Sequence, residues 1–456
     1  MYDVIVIGGG AGGYAGAIRA AQLGAAVAVV EKEKLGGVCV NRGCIPTKTW
    51  LKAAETLRTV REAEKYGIGA RPGKVNYARI LENKNDCITK IKGGMESLLG
   101  NNGVEILNGH AAFKDAKTIE VDGKTYQAKN YIIATGSRVE LPPIEGLKEA
   151  LLSTDEVLDM TAAPASVLIV GDDTIAVEMA QLLRTLGSEV ILATAAQRIL
   201  PQEDADSSQR LSQALREEGI EIHTRVELSA VTASRKKFAC TLSGRQEKEV
   251  VVARVICSPR VPNSQDLDLA NAAIRLNEDG SIKVSERMQT STPGIYAIGD
   301  VTGGTMQSHA ASAMAVVAAE NCMGQESSYD PNLVPRGTWT TPQVASVGLT
   351  EEQAEERDID VDVGYFPYSI NGYSIARGET FGAVKIVADE EFRIIYGVHI
   401  VGPHATELIG EASLAMQLEY TTEELARGIR VHPSFSEAVV DAARDAEKWA
   451  LYLPKK

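Results

Sequence analysis

The chain has 456 residues, of which 44% are hydrophobic and 24% are charged, and 61 Asp and Glu against 47 Lys and Arg give a net charge of −14. This composition excludes a disordered or fibrous protein, predicts two to four globular domains and argues against nucleic acid as a partner. No apolar run is long enough for a membrane span, and no secretory signal is expected at Met1. The six cysteines favour the reducing cytoplasm over a disulfide scaffold.

The first predicted element is a β-strand over residues 4–7, followed by a glycine-rich turn, a helix of small residues and a strand that ends at Glu31. Gly8, Gly10 and Gly13 form the GxGxxG pattern of a dinucleotide-binding βαβ unit. In such a unit the glycines let a pyrophosphate approach the helix N-terminus, and an acid at the position of Glu31 binds a ribose hydroxyl. The alternative is a glycine-rich turn in another α/β fold.

Two cysteines five positions apart, Cys39 and Cys44, come next. A regular α-helix would place their Cα atoms roughly 8.7 Å apart, beyond the usual limit of about 7 Å for a disulfide. A disulfide between them therefore requires irregular backbone, which Gly43 and Pro46 would permit. Cys44 would then stand at a helix N-terminus that favours its thiolate, and Lys48 adds positive charge one turn later. The alternative is two buried cysteines that never pair.

A second βαβ unit is predicted over residues 166–193, but its fingerprint is incomplete. Gly171 keeps the first glycine, whereas Asp173 occupies the second glycine position and Ala176 the third. A carboxylate about 5 Å from a pyrophosphate costs on the order of 3 kcal/mol at an effective dielectric of about 20, or roughly a hundredfold in affinity. Thr194 stands where an acid would bind the ribose of NAD. The alternative is that a neighbouring lysine or a shifted backbone offsets the carboxylate.

The predicted elements divide the chain into four domains. Residues 1–145, with a helical stretch near 46–100, form a first dinucleotide-binding domain, and 146–264 form a second one. Residues 265–334 form a central domain with a long alanine-rich helix, and 335–456 form an α+β module. The fold class is therefore α/β, with two Rossmann-like domains and a C-terminal α+β domain.

The CxxxxC motif, placed just after an N-terminal dinucleotide fingerprint, resembles that of the class I pyridine nucleotide-disulfide oxidoreductases. The stretch GGYAGAIRAAQLG is most similar to their dihydrolipoamide dehydrogenase branch. The resemblance covers the whole chain and includes ATGSR at 134–138, GDV at 299–301 and VHPSFSE at 431–437. It implies that FAD is bound by Gly8, Gly10, Gly13, Glu31, Lys48, Thr135, Gly136 and Asp300.

The resemblance also implies roles for the cysteines and for a C-terminal base. Cys39 would exchange with a dithiol and Cys44 would contact the flavin, so that electrons pass from the dithiol to the disulfide, to FAD and then to NAD. His432, oriented by Glu437, would remove the thiol proton for the other subunit of a homodimer. A neutral imidazole suits this task because thiols are mostly protonated at pH 7. The alternative for His432 is a surface turn before a helix.

The favoured function is thus FAD-dependent oxidation of a small dithiol or of a lipoyl-bearing protein. A second hypothesis keeps this chemistry with weak or no use of NAD(P) and another electron acceptor or donor, because Pro259 also replaces a family glycine near the nicotinamide. Of the family residues at the NAD site, this sequence retains Gly171 and Glu178. The resemblance implies that Glu178 pairs with Lys48. A third hypothesis is a non-catalytic flavoprotein subunit, against which the retained cysteines and His432 argue. No metal is assigned.

Overall fold

The computed structural model describes residues 1–454 and contains parallel and antiparallel sheets. In chain order the strands are β1 Tyr2–Ile7, β2 Val27–Glu31, β3 Glu105–Asn108, β4 Ala111–Asp115, β5 Thr118–Val121, β6 Lys124–Ile133, β7 Ser137–Val139, β8 Ser166–Val170, β9 Glu189–Thr194, β10 Glu221–Thr224, β11 Glu227–Ser234, β12 Lys237–Ser243, β13 Lys248–Val252, β14 Arg254–Cys257, β15 Arg260–Pro262, β16 Ile295–Ala297, β17 Arg336–Thr338, β18 Gln343–Gly348, β19 Val361–Pro367, β20 Ala383–Asp389 and β21 Ile395–Gly402.

The helices vary from single turns to long segments. In chain order they are α1 Ala11–Gln22, α2 Gly37–Asn41, α3 Cys44–Glu62, α4 Tyr77–Asn101, α5 Leu147–Ala150, α6 Thr154–Leu158, α7 Thr174–Thr185, α8 Ala205–Glu217, α9 Ser308–Cys322, α10 Glu351–Glu355, α11 Gly372–Arg377, α12 Ala405–Gln417, α13 Thr422–Arg427 and α14 Glu437–Ala446. Within the described part of the chain, no helix combines the length and the apolar character needed to cross a membrane.

The chain divides into two compact units. The first unit combines residues 1–142, 154–162 and 258–331, and the second combines 143–153, 163–257 and the residues from 332 onward. The boundaries of the four domains expected from the sequence stay predictions.

The first unit is built on a sheet in the order β3-β2-β1-β6-β5-β4, with β16 added beside β6. β1 runs parallel to β2 and β6, and its residues Val4, Ile5 and Val6 are completely buried. Such continuous apolar runs are typical of parallel strands that are covered on both faces. Helices α1 and α9 pack closely because small residues meet, with Gly16 of α1 facing Ala315 of α9.

The second unit contains a parallel sheet in the order β10-β9-β8-β14, a three-stranded antiparallel sheet β11-β12-β13 and a five-stranded antiparallel sheet β17-β18-β21-β20-β19. α7 packs against β8 and β9, which completes a second Rossmann-like unit. Ile386, Val398 and Ile400 of the five-stranded sheet lie in one buried apolar cluster with Ile409 and Ala412 of α12 and with Val439 and Ala442 of α14. The predicted fold class, two Rossmann-like units and a C-terminal α+β domain, is confirmed.

Candidate active site

The turn between β1 and α1 is shaped for the close approach of a ligand. Gly8 has a φ of +105°, which residues with a side chain rarely adopt. A Cβ on Gly13 would overlap the carbonyl oxygen of Gly8, so this helix position requires glycine. α1 begins after Gly10 without a side-chain cap. Its first backbone N–H groups are therefore available to an anion.

A cavity of about 760 Å³ opens in front of this turn, inside the first unit. Most of the residues predicted to bind FAD line it: Gly8, Gly10, Glu31, Thr135, Gly136 and Asp300. Gly13 lies in the first turn of α1 and Lys48 in the first turns of α3. Cys39 lines the same cavity. The glycine cradle, the uncapped helix and the size of the cavity fit a dinucleotide such as FAD.

Hydrogen bonds fix the polar groups of this cavity. Glu31 ends β2, and its two carboxylate oxygens accept from the backbone N–H groups of Gly9, at 2.8 Å, and Glu33, at 2.7 Å. The carboxylate of Asp300 accepts from the hydroxyl of Ser137. Because these acids are held in place before a ligand arrives, they can orient hydroxyl groups with little further ordering.

Asn263 also lines the cavity and was not predicted as a site residue. The side-chain amide of Asn263 donates to the backbone carbonyl of Thr135 at 3.0 Å. The backbone carbonyl of Asn263 accepts from the Thr135 hydroxyl at 2.7 Å. Its backbone N–H donates to the carbonyl of Gly136 at 2.9 Å. Asn263 therefore holds the turn at Thr135 and Gly136. The only signal in the sequence was its position in the segment PRVPN.

The backbone between the two cysteines is irregular, as their spacing requires for a disulfide. Cys39 lies in the short helix α2, and Cys44 is the first residue of α3. Between the two helices Arg42 and Gly43 leave the helical region, with φ values of −141° and −130°. Asn41 donates to the carbonyls of Leu35 at 3.0 Å and Gly37 at 2.8 Å, which stabilises this short helix.

The two thiols are adjacent and differ in acidity. Both cysteines are free thiols, and their side chains hydrogen-bond to each other. The bond from Cys39 lowers the pKa of Cys44, with further help from Ser308 and the charge of Lys48, although burial opposes this shift. The same bond, together with burial, raises the pKa of Cys39. The pair therefore favours one thiolate, on Cys44.

Ser308 is a further site residue that the sequence did not predict. Its hydroxyl lies 3.4 Å from the sulfur of Cys44, and it is the first residue of α9. The two residues are 264 positions apart, so only the folded chain brings them together. A serine hydroxyl that donates to a thiolate stabilises the charged form.

His432 and Glu437 form a hydrogen-bonded pair in the second unit. Nδ1 of His432 lies 2.8 Å from Oε1 of Glu437, and the imidazole is 79% exposed. The other carboxylate oxygen of Glu437 accepts from the backbone N–H of Ser434 at 2.8 Å. With Nδ1–H donated to the carboxylate, Nε2 keeps the lone pair with which a neutral imidazole accepts a proton.

The second fingerprint differs from the first at the helix N-terminus. Asp173 caps α7, because its side chain accepts from the backbone N–H of Ala176 at 2.8 Å. Burial raises the pKa of Asp173, while the bond from Ala176 opposes the shift. The neighbouring Asp172 accepts from the hydroxyl of Thr194 at 2.8 Å. The helix terminus that a pyrophosphate would use therefore already holds a carboxylate.

The two family residues retained in the second Rossmann-like unit are Gly171 and Glu178. Gly171 directly follows β8 and has a φ of +152°, and Glu178 is buried in α7. The carboxylate of Glu178 accepts from the backbone N–H of Trp339 at 2.8 Å. Among residues 1–454, no group of three or more His, Cys, Asp or Glu side chains is arranged to hold a metal ion.

Comparisons with known proteins cover the whole chain. Residues 2–315 match the pyridine nucleotide-disulphide oxidoreductase family, and residues 334–443 match the dimerisation domain of that family. A dihydrolipoyl dehydrogenase from Thermus scotoductus is 39% identical over 99% of both chains. Another, from Corynebacterium glutamicum, is 40% identical over 97% of both chains.

Two solved structures superpose on nearly the whole chain. LpdA from Mycobacterium tuberculosis superposes with a TM-score of 0.89 at 25% identity, covering 97% of this chain and 99% of that one. The HOCl-induced flavoprotein disulfide reductase RclA from Escherichia coli superposes with a TM-score of 0.84 at 26% identity, covering 96% and 99% of the two chains.

Proposed function

The chain belongs to the pyridine nucleotide-disulphide oxidoreductase family, and we propose on this premise that it oxidises dithiols in the manner of a dihydrolipoyl dehydrogenase. It is an oxidoreductase of a family that uses FAD and NAD. The observation that carries the proposal is the hydrogen-bonded cysteine pair, of which Cys39 lines the same cavity as the first fingerprint. A lipoyl-bearing protein is the proposed natural substrate, and the cytoplasm stays the predicted compartment.

FAD, when bound, supplies the two-electron acceptor for the reduced cysteine pair. The N-terminus of α1 and the glycines before it would hold its pyrophosphate, and Glu31 a ribose hydroxyl. Asp300, oriented by Ser137, would accept a hydrogen bond from a hydroxyl of the ribityl chain. The lining of the cavity and the family match support these assignments.

The proposed reaction is a thiol–disulfide exchange. His432 accepts the proton of the first substrate thiol, and the resulting thiolate attacks the sulfur of Cys39 in the Cys39–Cys44 disulfide. The disulfide breaks, which gives a mixed disulfide on Cys39 and a thiolate on Cys44. The second substrate sulfur then attacks the mixed disulfide and displaces Cys39, and its proton passes to the Cys39 sulfur, which leaves as a thiol. The substrate departs as a disulfide with two electrons fewer.

The acidities of the two cysteines suit these roles. Cys44 is the leaving group, and a lowered pKa makes a thiol leave faster. Cys39 leaves the reaction as a thiol, in keeping with its raised pKa. The match to the dimerisation domain supports a homodimer. We propose that the exposed imidazole of His432 serves the cysteine pair of the other subunit.

A second candidate function keeps the disulfide chemistry but delivers the electrons to an acceptor other than NAD. The observation that favours it is the cap of α7, where the carboxylate of Asp173 occupies the anion position. Asp172 and Pro259 add to the departure from the family pattern. This candidate predicts that a dithiol reduces dyes through the protein, whereas NADH does so only slowly.

The main proposal is tested by mixing the purified protein anaerobically with dihydrolipoamide and recording the flavin absorbance. We expect rapid bleaching in the unmodified protein. Cys44→Ser should lose this reaction by at least about a thousandfold while FAD stays bound, because the exchange has no disulfide to open. Cys87→Ser, in α4, is the matched control and should react normally. Unchanged turnover in the Cys44→Ser variant would exclude the mechanism.

A further inference from the structure

The proposed base lies on a turn, residues 432–436, which precedes α14. Because 79% of the His432 side chain is exposed, packing against the ring contributes little to its position. Its orientation depends instead on Glu437, which holds Nδ1 of the ring with one oxygen and the backbone of Ser434 with the other. Glu437 can hold both only if the turn keeps its shape.

Asn371 reaches this turn from another segment of the chain. Its side-chain Nδ2 donates to the carbonyl of Ser434 at 3.2 Å. Its side-chain oxygen accepts from the backbone N–H of Ser374 at 2.9 Å and so caps α11. Both backbone polar groups of Ser434 are thus hydrogen-bonded: its N–H to Glu437 and its carbonyl to Asn371.

Both the NH₂ group and the oxygen of the Asn371 side chain require hydrogen-bond partners because the residue is buried. Asn371 is 5% exposed and Ser374 is completely buried. A buried amide group without a partner costs about 1–3 kcal/mol, so the donor side is tied to the carbonyl of Ser434. Phe435 anchors the same turn, since its ring packs edge-on against Tyr373 with centroids 4.8 Å apart.

We propose that Asn371 is a positioning residue for the base that removes the thiol proton. It holds the turn of residues 432–436 so that Glu437 can orient His432. The inference rests on the proposed function, because it takes His432 as that base. The charged or titratable groups around the turn include the pairs Arg377–Glu379 and Arg430–Glu411, His404 and Tyr373 beside Phe435, and Asp441, whose carboxylate interacts electrostatically with Glu437.

Two substitutions separate the donor from the cap. Asn371→Asp and Asn371→Ser both keep an oxygen that can cap α11, because Asp and Ser are preferred N-cap residues. Both lose the N–H donor to Ser434. Asn76 caps α4 through its side-chain oxygen in the same way, with Arg79 as the donor at 3.1 Å. Asn76→Asp is therefore the matched control.

The measurement is the rate of flavin bleaching by dihydrolipoamide in the FAD-loaded protein, without oxygen, at pH 7 and at pH 9.5. At pH 7 we expect both Asn371 variants to react at least about tenfold more slowly at saturating dithiol, since general base catalysis typically contributes a hundredfold or more. At pH 9.5 the deficit should shrink to about threefold or less, because a free thiol ionises by itself there. Asn76→Asp should match the unmodified protein.

His432→Ala, measured in parallel, separates the two proposals. If it reacts as fast as the unmodified protein at pH 7, His432 is not the base, and the proposed mechanism and this inference both fail. If His432→Ala is slow but both Asn371 variants react normally, only the inference about Asn371 fails. A deficit in the Asn371 variants that is equally large at both pH values would indicate general structural damage and would also overturn the inference.

Discussion

Removing the carboxylate of Asp173 should raise the affinity of this protein for NADH. The carboxylate lies at the N-terminus of α7, 2.8 Å from the backbone nitrogen of Ala176, where a bound pyrophosphate would receive its hydrogen bonds. A unit charge about 5 Å from a phosphate costs roughly 3 kcal/mol at an effective dielectric of about 20. That energy corresponds to roughly a hundredfold in Kd.

Two variants divide this effect into charge and shape. Asp173→Asn removes the charge but keeps a side chain that can cap α7, so most of the hundredfold gain should appear in this variant alone. Asp173→Gly also removes the Cβ and should bind NADH more tightly still. Replacing an N-cap residue by glycine costs only a few tenths of a kcal/mol, so both variants should remain folded.

The assay is a titration of the oxidised protein with NADH under argon, recorded by flavin absorbance and by nucleotide fluorescence. In the unmodified protein, affinity should rise as the pH falls, because burial raises the pKa of Asp173 and its protonated form no longer repels the phosphate. Asp173→Asn should lose this pH dependence. Micromolar affinity in the unmodified protein, or no gain in either variant, would refute the reasoning.

Two further substitutions test the first fingerprint and the cysteine pair. Gly13→Ala should lose FAD and unfold at a lower temperature, at a cost of about 1–3 kcal/mol, because its Cβ would overlap the carbonyl of Gly8. Gly16→Ala is its control, since the nearest atom to that Cβ is 3.5 Å away; equal flavin loss in both would contradict the prediction. Ser308→Ala removes a hydrogen bond that lowers the pKa of Cys44, so alkylation of the reduced Cys44 by iodoacetamide should require a higher pH than in the unmodified protein. An unchanged alkylation profile would show that Ser308 does not stabilise the thiolate.

Local patterns predicted much of the fold. The α/β class, the family and the oxidoreductase class expected from the sequence are confirmed. The GxGxxG unit could be predicted because its strand, turn and helix are contiguous and each glycine has a steric reason. The helical stretch predicted near residues 46–100 consists of α3 and α4, separated by a segment that contains Gly69, Pro72 and Gly73.

Contacts between distant residues could not be predicted in this way. Ser308 reaches Cys44 across 264 positions, and Asn371 reaches Ser434 across 63. Neither residue belongs to a motif, and a serine or an asparagine at such a position is equally typical of a helix start. The site roles expected for His432 and Glu437 stay predictions, although the two side chains lie within hydrogen-bond distance.

The two nucleotide-binding units of this chain differ in the charge at one helix terminus. α1 starts after Gly10, which has no side chain and leaves the first N–H groups open, whereas α7 starts after Asp173, which fills that position with its own carboxylate. Aspartate is among the most favourable N-cap residues, so the same substitution that disfavours a pyrophosphate stabilises the helix. If the proposed second function holds, the cap would weaken the nucleotide site without weakening the fold that carries it.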